Sequence, residues 1–392
     1  MKLSSGQTTG TRLVALAALL VIVTAAAPAM AQSLVDDVQI HGFGGWAYAE
    51  TDGNYYSLGT NEGAWDNADF ALNITAEPLA KLTIVAQIRG EAINGEDNFE
   101  LDYAFAGWAF NDNLELRIGR VKHPFGIYGE IFAVGTLRPF YTLAQGIYGP
   151  NGFTAQAYNG VGITGWHDWD SGWGLQYDVY VGQIEGDFEV PGLMTTVPEN
   201  FLDPRMNVGF EVNNTIGARL MVNTPVNGLS FGLSGYTGED HTNLDVLEEG
   251  VRRKVWLGSA SYVNRNWLVR AEYGSIDRSP DFKGNGGYIE AAFKFNKHWQ
   301  LAARYDAFNV EFPTTDFSTL PPFFLQFLDH EEATLGLNYW FGSNLVIRLS
   351  YSQVDGNRYA FVSTPEEIME LMVTGELESK TNMVLFGAQF SF

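Results

Sequence analysis

The sequence of 392 residues contains no cysteine, so no disulfide bond stabilises the fold. Basic residues are also few, with 23 Lys and Arg against 46 Asp and Glu, a net charge of −23. This balance argues against a nucleic-acid partner, because phosphates need a basic surface, and it also argues against simple electrostatic adhesion to anionic lipid. After residue 31, no stretch approaches the apolar length that a transmembrane helix needs. The stability of the chain must therefore come from its own hydrogen-bonded framework.

The N-terminal segment has the features of a secretory signal peptide. Two basic residues and no acidic residue accompany a single apolar run at residues 13–27, and residues 29–31 match the small-x-small cleavage pattern. An uncleaved membrane anchor is the alternative, but the run is too short for a stable spanning helix. We therefore predict a signal peptide over residues 1–31 and a mature domain over residues 32–392. The mature chain has 21 basic and 46 acidic residues, a net charge of −25.

Alternation of apolar and polar residues with a period of two dominates the mature chain. Aromatic residues are abundant, at 14% of the sequence. Sixteen windows alternate, each about as long as a tilted strand needs to cross a bilayer. None of the fourteen prolines falls within a window, as expected for strands inside a closed sheet. The windows are residues 38–50, 67–77, 82–93, 98–110, 113–123, 157–167, 172–185, 214–224, 228–239, 252–263, 266–277, 285–296, 299–310, 332–342, 344–355 and 381–392.

The connections between these windows alternate in length. Seven are short turns, such as residues 111–112 and 342–343, whereas six of the other eight are long, such as residues 356–380. Short periplasmic turns and long outer loops are typical of bacterial outer-membrane barrels. We therefore predict an all-β fold, a 16-stranded antiparallel transmembrane β-barrel with both termini in the periplasm. A soluble β-sandwich is the alternative, but its exposed face should be polar, and here one face of the strands is apolar.

The phase of the apolar face assigns many charged residues to the lumen. A basic residue on the lipid face at mid-depth costs about 2–4 kcal/mol, so the inward assignment is preferred. Each such residue contacts solute or forms a structural ion pair with a neighbouring strand, and the sequence leaves both readings open. The residues predicted to line the pore are Arg89, Arg117, Arg219, Arg270, Arg304, Arg348, Glu115 and Asp306. The same phase places Lys294, Glu91, Glu100, Asp102, Asp178, Glu272 and Glu290 inward.

Residues 124–156 form the longest predicted loop. The loop has only two charged residues, Glu130 and Arg138, and is rich in Phe and Tyr. A loop of this length in a compact fold is usually functional, and its rings are not stable standing in water. We therefore predict that it folds back into the barrel and narrows it. The rings could stack on sugars or aromatic acids, or they could only pin the loop to the wall.

The last long loop contains a short helix signal and many acidic residues. Thr364 is a suitable N-cap, Pro365 suits the first helical position, and Glu367 completes a capping box. Together with the acidic residues of loop 240–251, this loop predicts a negative vestibule that concentrates cations at low salt. Simple solvation and divalent-ion bridging to lipid headgroups are the alternatives.

A short motif resembles a known family. Residues 119–126 read Gly-Arg-Val-Lys-His-Pro-Phe-Gly, and Arg138 and Pro139 follow. This resembles the strand-into-loop segment of Gram-negative porins, and most of all the phosphate-selective porin O and P type. The resemblance implies a sixteen-stranded trimer with the third outer loop as constriction, and it makes Lys122 and Arg138 candidates for solute contact. The chain departs from the anion-selective pattern because its constriction loop is nearly uncharged.

No pattern in the sequence indicates a cofactor, a metal ion or a catalytic triad. Residues 160–165 fit G-x-G-x-x-G by letter, but no helix pattern follows them, and the six histidines lack metal-ligand spacing. We predict an outer-membrane porin for passive diffusion of small hydrophilic solutes or ions, not an enzyme, with outer-membrane lipid and further copies in a homotrimer as its partners. A non-conducting barrel for adhesion or envelope structure is the first alternative, and an outer-membrane hydrolase is the second.

Overall fold

A computed structural model describes residues 38–93, 96–150, 153–190, 206–242, 250–313, 326–361, 364–374 and 378–392. The predicted signal peptide lies outside the described residues. In the described residues, sixteen strands form one closed antiparallel barrel, in which the N-terminal strand pairs with the C-terminal strand to complete the ring. The predicted barrel is therefore confirmed. Its strands are β1 (Val38–Asp52), β3 (Ala64–Leu79), β4 (Leu82–Ile93), β5 (Glu96–Asn111), β6 (Leu114–Lys122), β7 (Ala157–Asp168), β8 (Gly174–Val190), β9 (Met206–Asn223), β10 (Leu229–Thr242), β11 (Val251–Val263), β12 (Trp267–Arg278), β13 (Phe282–Lys294), β14 (Trp299–Glu311), β15 (Asp329–Trp340), β16 (Leu345–Asp355) and β18 (Lys380–Ser391).

Exposed and buried side chains alternate along most strands, such as β14 and β15, because successive side chains point to opposite sides of a sheet. In β14, Leu301 is 54% exposed and Tyr305 is 46% exposed, whereas Arg304 between them is 4% exposed. The exposed face is thus apolar and the buried face carries charge. This is the reverse of a water-soluble sheet protein, whose exposed face is polar.

The two ends of the barrel differ. One end, here called the short-turn end, has only brief connections, and the exposed rings of Trp173, Trp267 and Phe341 lie beside them. The other end, here called the long-loop end, carries the extended connections and two short strands, β2 (Tyr55–Tyr56) and β17 (Ala360–Phe361), which pair with each other. Within the described residues, no helix is both long and apolar enough to cross a membrane.

The predicted helix in the last long loop is confirmed as α2 (Pro365–Thr374). The backbone N–H of Thr364 donates to the Glu367 carboxylate at 3.1 Å, and the N–H of Glu367 donates to the Thr364 hydroxyl at 3.3 Å. This reciprocal capping box satisfies two of the donors that a helix start leaves without intrahelical partners.

Two details of the sequence prediction are wrong. Strand β9 begins at Met206 rather than near residue 214, because its pairing with an equally extended β8 continues beyond the alternating window. Pro78 lies inside β3, although all prolines were expected outside strands. The pairing of β3 with β4 shifts register between Ala76 and Leu79, so the ladder is already interrupted where Pro78 cannot donate.

Candidate functional site

The long loop (residues 124–156) joins β6 to β7 and is packed against the barrel wall. It contains a 3₁₀ turn at Gly135–Leu137 and the single-turn helix α1 (Gln145–Tyr148). Most of its buried apolar side chains lie in one cluster with rings and aliphatic chains from strands that include β8 to β14, while Ala133 and Phe140 belong to two smaller clusters. Each large apolar side chain buried in this way contributes about 1.5–3 kcal/mol. The loop members of the cluster include Phe125, Tyr128, Ile147, Tyr148 and Phe153.

Glu272 of β12 anchors the first part of the loop. Its carboxylate, 2% exposed, accepts the backbone N–H of Ile127 at 2.8 Å and the hydroxyl of Tyr148. Ser259 and Tyr288 of the neighbouring strands donate to the same carboxylate at 2.5 and 2.8 Å. Four donors therefore satisfy one buried carboxylate, and two of them belong to the loop.

The middle of the loop is held by β14. The backbone N–H of Gly146 donates to Asp306 at 3.0 Å, and Arg304 donates to the carbonyl of Thr142 at 2.8 Å. Gly146 permits this approach because a Cβ there would stand 2.5 Å from the carbonyl oxygen of Ala307. The backbone of α1 thus rests directly on the backbone of the wall.

The loop also reaches other strands of the ring. Tyr141 donates to Asp69 of β3 at 3.0 Å, and its carbonyl accepts from Gln389 of β18 at 3.5 Å. Glu130 accepts from Arg219 of β9, whose guanidinium also binds Asp178 at 2.8 Å. Contacts from β3, β9, β12, β14 and β18 therefore hold one loop at many points around the ring.

Several of the predicted pore-lining residues are buried and engaged in protein contacts. Lys122 is 6% exposed and lies 2.9 Å from Asp102. Arg304 lies 3.2 Å from Asp306 and 3.4 Å from Glu332, and all three are at most 4% exposed. Arg348 is 1% exposed.

A second group is partly exposed and stands together on β4 to β6. Arg89 lies 2.5 Å from Glu91 and 3.9 Å from Glu100. Arg117 lies 3.3 Å from Glu115 and 3.7 Å from Glu130 of the loop. The remaining predicted residues, Arg138 and Arg270, are also partly exposed. The sequence-predicted set is therefore divided into covered and accessible members, a division that the alternation could not reveal.

Two cavities lie between the loop and this part of the wall. The larger, about 440 Å³, is lined by Arg89, Glu91 and Glu100 of the strands and by Phe132 and Tyr148 of the loop. The smaller, about 190 Å³, adjoins it through Arg89, Glu91, Phe132 and Tyr148. Both cavities thus offer charged wall on one side and aromatic loop on the other.

Arg120 and Glu185 also line the larger cavity, 3.8 Å apart, and they were not among the predicted site residues. Alternation assigned Arg117 inward, which placed Arg120 on the opposite face. Gly119 has φ +133°, a backbone conformation that favours glycine, and Val121 and Lys122 beyond it are both buried. The strand therefore changes phase at Gly119. A glycine within an alternating window was the available signal for such a change.

Asp306, His330 and Glu332 form a buried group whose ligand-type atoms lie within 4.8 Å of one another. Their positions in the sequence show no metal-ligand spacing because these residues meet across two strands. Arg304 is ion-paired with both carboxylates, so its guanidinium already balances part of their charge. Tyr56 and Thr334 donate to Glu332 at 2.6 and 2.7 Å. This charge balance favours a structural network over a cation site.

The chain is similar in fold to solved outer-membrane proteins. The outer membrane channel DcaP of Acinetobacter baumannii has a TM-score of 0.56 at 11% identity, over 91% of this chain and 97% of that chain. OmpF of Salmonella typhi, in complex with daunomycin, has a TM-score of 0.53 at 13% identity over 91% and 97%. The trimer form of OmpT, an outer membrane protein of Vibrio cholerae, has a TM-score of 0.53 at 11% identity over 91% and 100%.

No curated protein matches the chain in sequence. The family model described as Gram-negative porin matches residues 15–364, which is most of the chain. The closed sixteen-stranded barrel, with its apolar exposed face and charged buried face, is consistent with that match. The chain therefore belongs to the Gram-negative porin family of the outer membrane.

Proposed function

We propose that this porin allows passive diffusion of small hydrophilic solutes or ions between the long loop and strands β4 to β6. The observation that carries the proposal is the pair of adjoining cavities, about 440 and 190 Å³, lined by partly exposed charged groups. On the other side of the barrel the loop is hydrogen-bonded to β12, β14 and β15, which leaves less room for solute there.

The long loop is proposed to lie across the lumen and to set its width. Its contacts with strands far apart in the ring support this placement. Among the predicted site residues, Arg89 and Arg138 line these cavities, and Arg117, Glu115 and Glu130 are partly exposed on β6 and the loop. These five are then the solute contacts. Lys122, Arg219, Arg304, Arg348 and Asp306 hold the wall and the loop, because each is buried in ion pairs or hydrogen bonds.

The division into solute contacts and structural residues also bears on the type of porin. The resemblance to the phosphate-selective type made Lys122 a candidate for solute contact, but Asp102 engages its ammonium group. We propose a general diffusion pore rather than a phosphate-specific one, and no enzymatic activity. A homotrimer is proposed on the likeness of the fold to the trimer form of OmpT. The short-turn end is proposed to face the periplasm after removal of residues 1–31.

Purified protein in planar bilayers tests the proposal. We expect discrete conductance steps in KCl, and Arg89→Gln and Arg117→Gln should each change the step size. Arg252→Gln, on the exposed face and 54% exposed, is the matched control and should leave it unchanged. Protein that inserts, keeps its barrel by circular dichroism and never conducts would support the adhesion or envelope alternative.

A further inference from the structure

The tip of the long loop is surrounded by basic side chains. Arg348 of β16 donates to the carbonyls of Gly135 and Arg138 at 3.0 and 2.5 Å. Arg270 of β12 donates to the carbonyl of Leu137 at 3.3 Å, and Arg138 itself donates to the carbonyl of Phe132 at 2.9 Å. Three guanidinium groups thus converge on one short turn.

These three arginines, and Lys294 of β13, lack the carboxylate partners that arginines elsewhere on the wall have. Among the described residues, no carboxylate oxygen lies within 4.0 Å of a charged nitrogen of Arg138, Arg270, Arg348 or Lys294. The Nε atoms of the three arginines are buried without a hydrogen-bond partner. Against these four cations, here called the basic zone, Glu290 stands opposite Arg270 on β13 and Asp69 interacts electrostatically with Arg138. Four basic groups against these two carboxylates leave the basic zone with an excess of two positive charges.

This basic zone lies toward the short-turn end. Thr136 of the turn contacts the hydroxyl of Ser391, the last residue of β18, at 3.2 Å. Arg348 is three residues from the start of β16, and Arg270 is three residues from the start of β12. Both strands begin at short turns, so the guanidinium groups stand in the half of the barrel nearest that end.

The larger cavity is acidic, in contrast to the basic zone, and it lies toward the long-loop end of the barrel. It is lined by Glu91, Glu100, Glu185 and Asp187 against only Arg89 and Arg120, an excess of two negative charges. Its other lining residues include Ser57 and Tyr359, which belong to connections at the long-loop end. An acidic zone and a basic zone are therefore arranged in series along the barrel axis.

We propose that this axial charge separation makes the pore rectify ionic current. The inference rests on the proposed function, since it requires an open pore. The acidic zone is enriched in cations and the basic zone in anions. A field that is positive at the long-loop end drives both ions into the junction between the zones, and conductance rises. The reverse field draws both ions away from the junction, and conductance falls.

The test is the current–voltage curve of single channels in symmetric KCl. Orientation is fixed with Glu370→Cys on α2, because the chain has no other cysteine and a bulky impermeant thiol reagent added to one side then reports which side the long loops face. We expect larger current when that side is positive. The asymmetry should be strong in 0.1 M salt and weak in 1 M salt, where the Debye length falls from about 10 to about 3 Å.

The variant Arg270→Gln/Lys294→Gln should reduce the asymmetry, because it removes two of the four basic groups. Arg252→Gln/Lys254→Gln changes net charge equally on the exposed face and should leave the asymmetry intact. A linear curve in 0.1 M KCl, the opposite polarity, or unchanged asymmetry in the first variant overturns the inference. Complete absence of channels instead overturns the proposed function, so the two failures are distinct.

Discussion

Replacing Glu272 by Gln should weaken the docking of the long loop on the wall while the barrel stays folded. The substitution keeps the size of the side chain but removes its charge and one acceptor oxygen. In the native protein, one carboxylate oxygen accepts from Ile127 and Ser259, and the other accepts from Tyr148 and Tyr288. In the variant, an amide nitrogen replaces the oxygen that accepts from Tyr148 and Tyr288, and a nitrogen that is itself a donor cannot accept from their hydroxyls.

The size of the effect on the loop follows from the bond to Tyr148, because Tyr288 belongs to the wall. A hydrogen bond to a charged group contributes about 1.5–3 kcal/mol. The tyrosine hydroxyl can rotate and accept from the amide, which recovers about half of this. The remaining loss, about 0.8–1.5 kcal/mol, raises the population of the detached loop by about 4- to 13-fold.

Single-channel recording measures this change directly. We expect Glu272→Gln to show more frequent current fluctuations and a larger mean conductance, because a detached loop no longer narrows the path. Glu331→Gln is the control, since Glu331 is exposed on the outside of β15. Wild-type noise and conductance in Glu272→Gln would refute the view that this carboxylate holds the loop.

Three further changes probe the loop, the wall and the outer helix separately. Gly146→Ala places a Cβ 2.5 Å from a wall carbonyl and should weaken loop docking by about 1–3 kcal/mol, seen as channel noise, while Gly258→Ala has its nearest atom at 3.8 Å and should be silent. Lys122→Ala leaves Asp102 buried without its cation and should cost about 3–5 kcal/mol in urea unfolding; the double replacement Lys122→Met/Asp102→Leu should recover most of it. A wild-type unfolding curve for the single variant contradicts the structural role of this pair. Thr364→Ala removes the N-cap and should destabilise α2 by about 1 kcal/mol, so hydrogen exchange quickens there but not in the barrel.

The barrel could be predicted because its determinants are local. A period of two, a proline-free window and a short turn are each visible within about ten residues, and closure follows from repeating them. The wrongly predicted start of β9 has an equally local cause. Strand β9 begins at Met206, in a stretch where Met206, Val208 and Phe210 alternate with Asn207, Gly209 and Glu211 but lie beyond a long connection. The alternation was therefore present at the start of β9, but this stretch was assigned to the long connection before the strand.

The division of the wall charges could not be predicted from the sequence. Arg89 and Arg348 have the same local signature, a basic residue in phase with the buried face of a strand. One is partly exposed beside a cavity, and the other is covered by the turn at Gly135–Leu137. The difference depends on where a loop more than 200 residues away from Arg348 descends, and no short-range pattern encodes that path.

The near absence of charge in the long loop is explained by the wall it meets. A buried loop exposes backbone carbonyls and N–H groups that must be paired. Here the wall supplies partners with formal charge: Arg304 and Arg348 bind loop carbonyls, and Glu272 and Asp306 bind loop N–H groups. A charged side chain on the loop would compete with these partners or require its own, as Glu130 requires Arg219. The charged wall therefore pairs the backbone of the loop, and the loop itself can carry aromatic rather than charged side chains. The alternation that marks a wall residue as inward does not distinguish a group that binds solute from one that binds the loop.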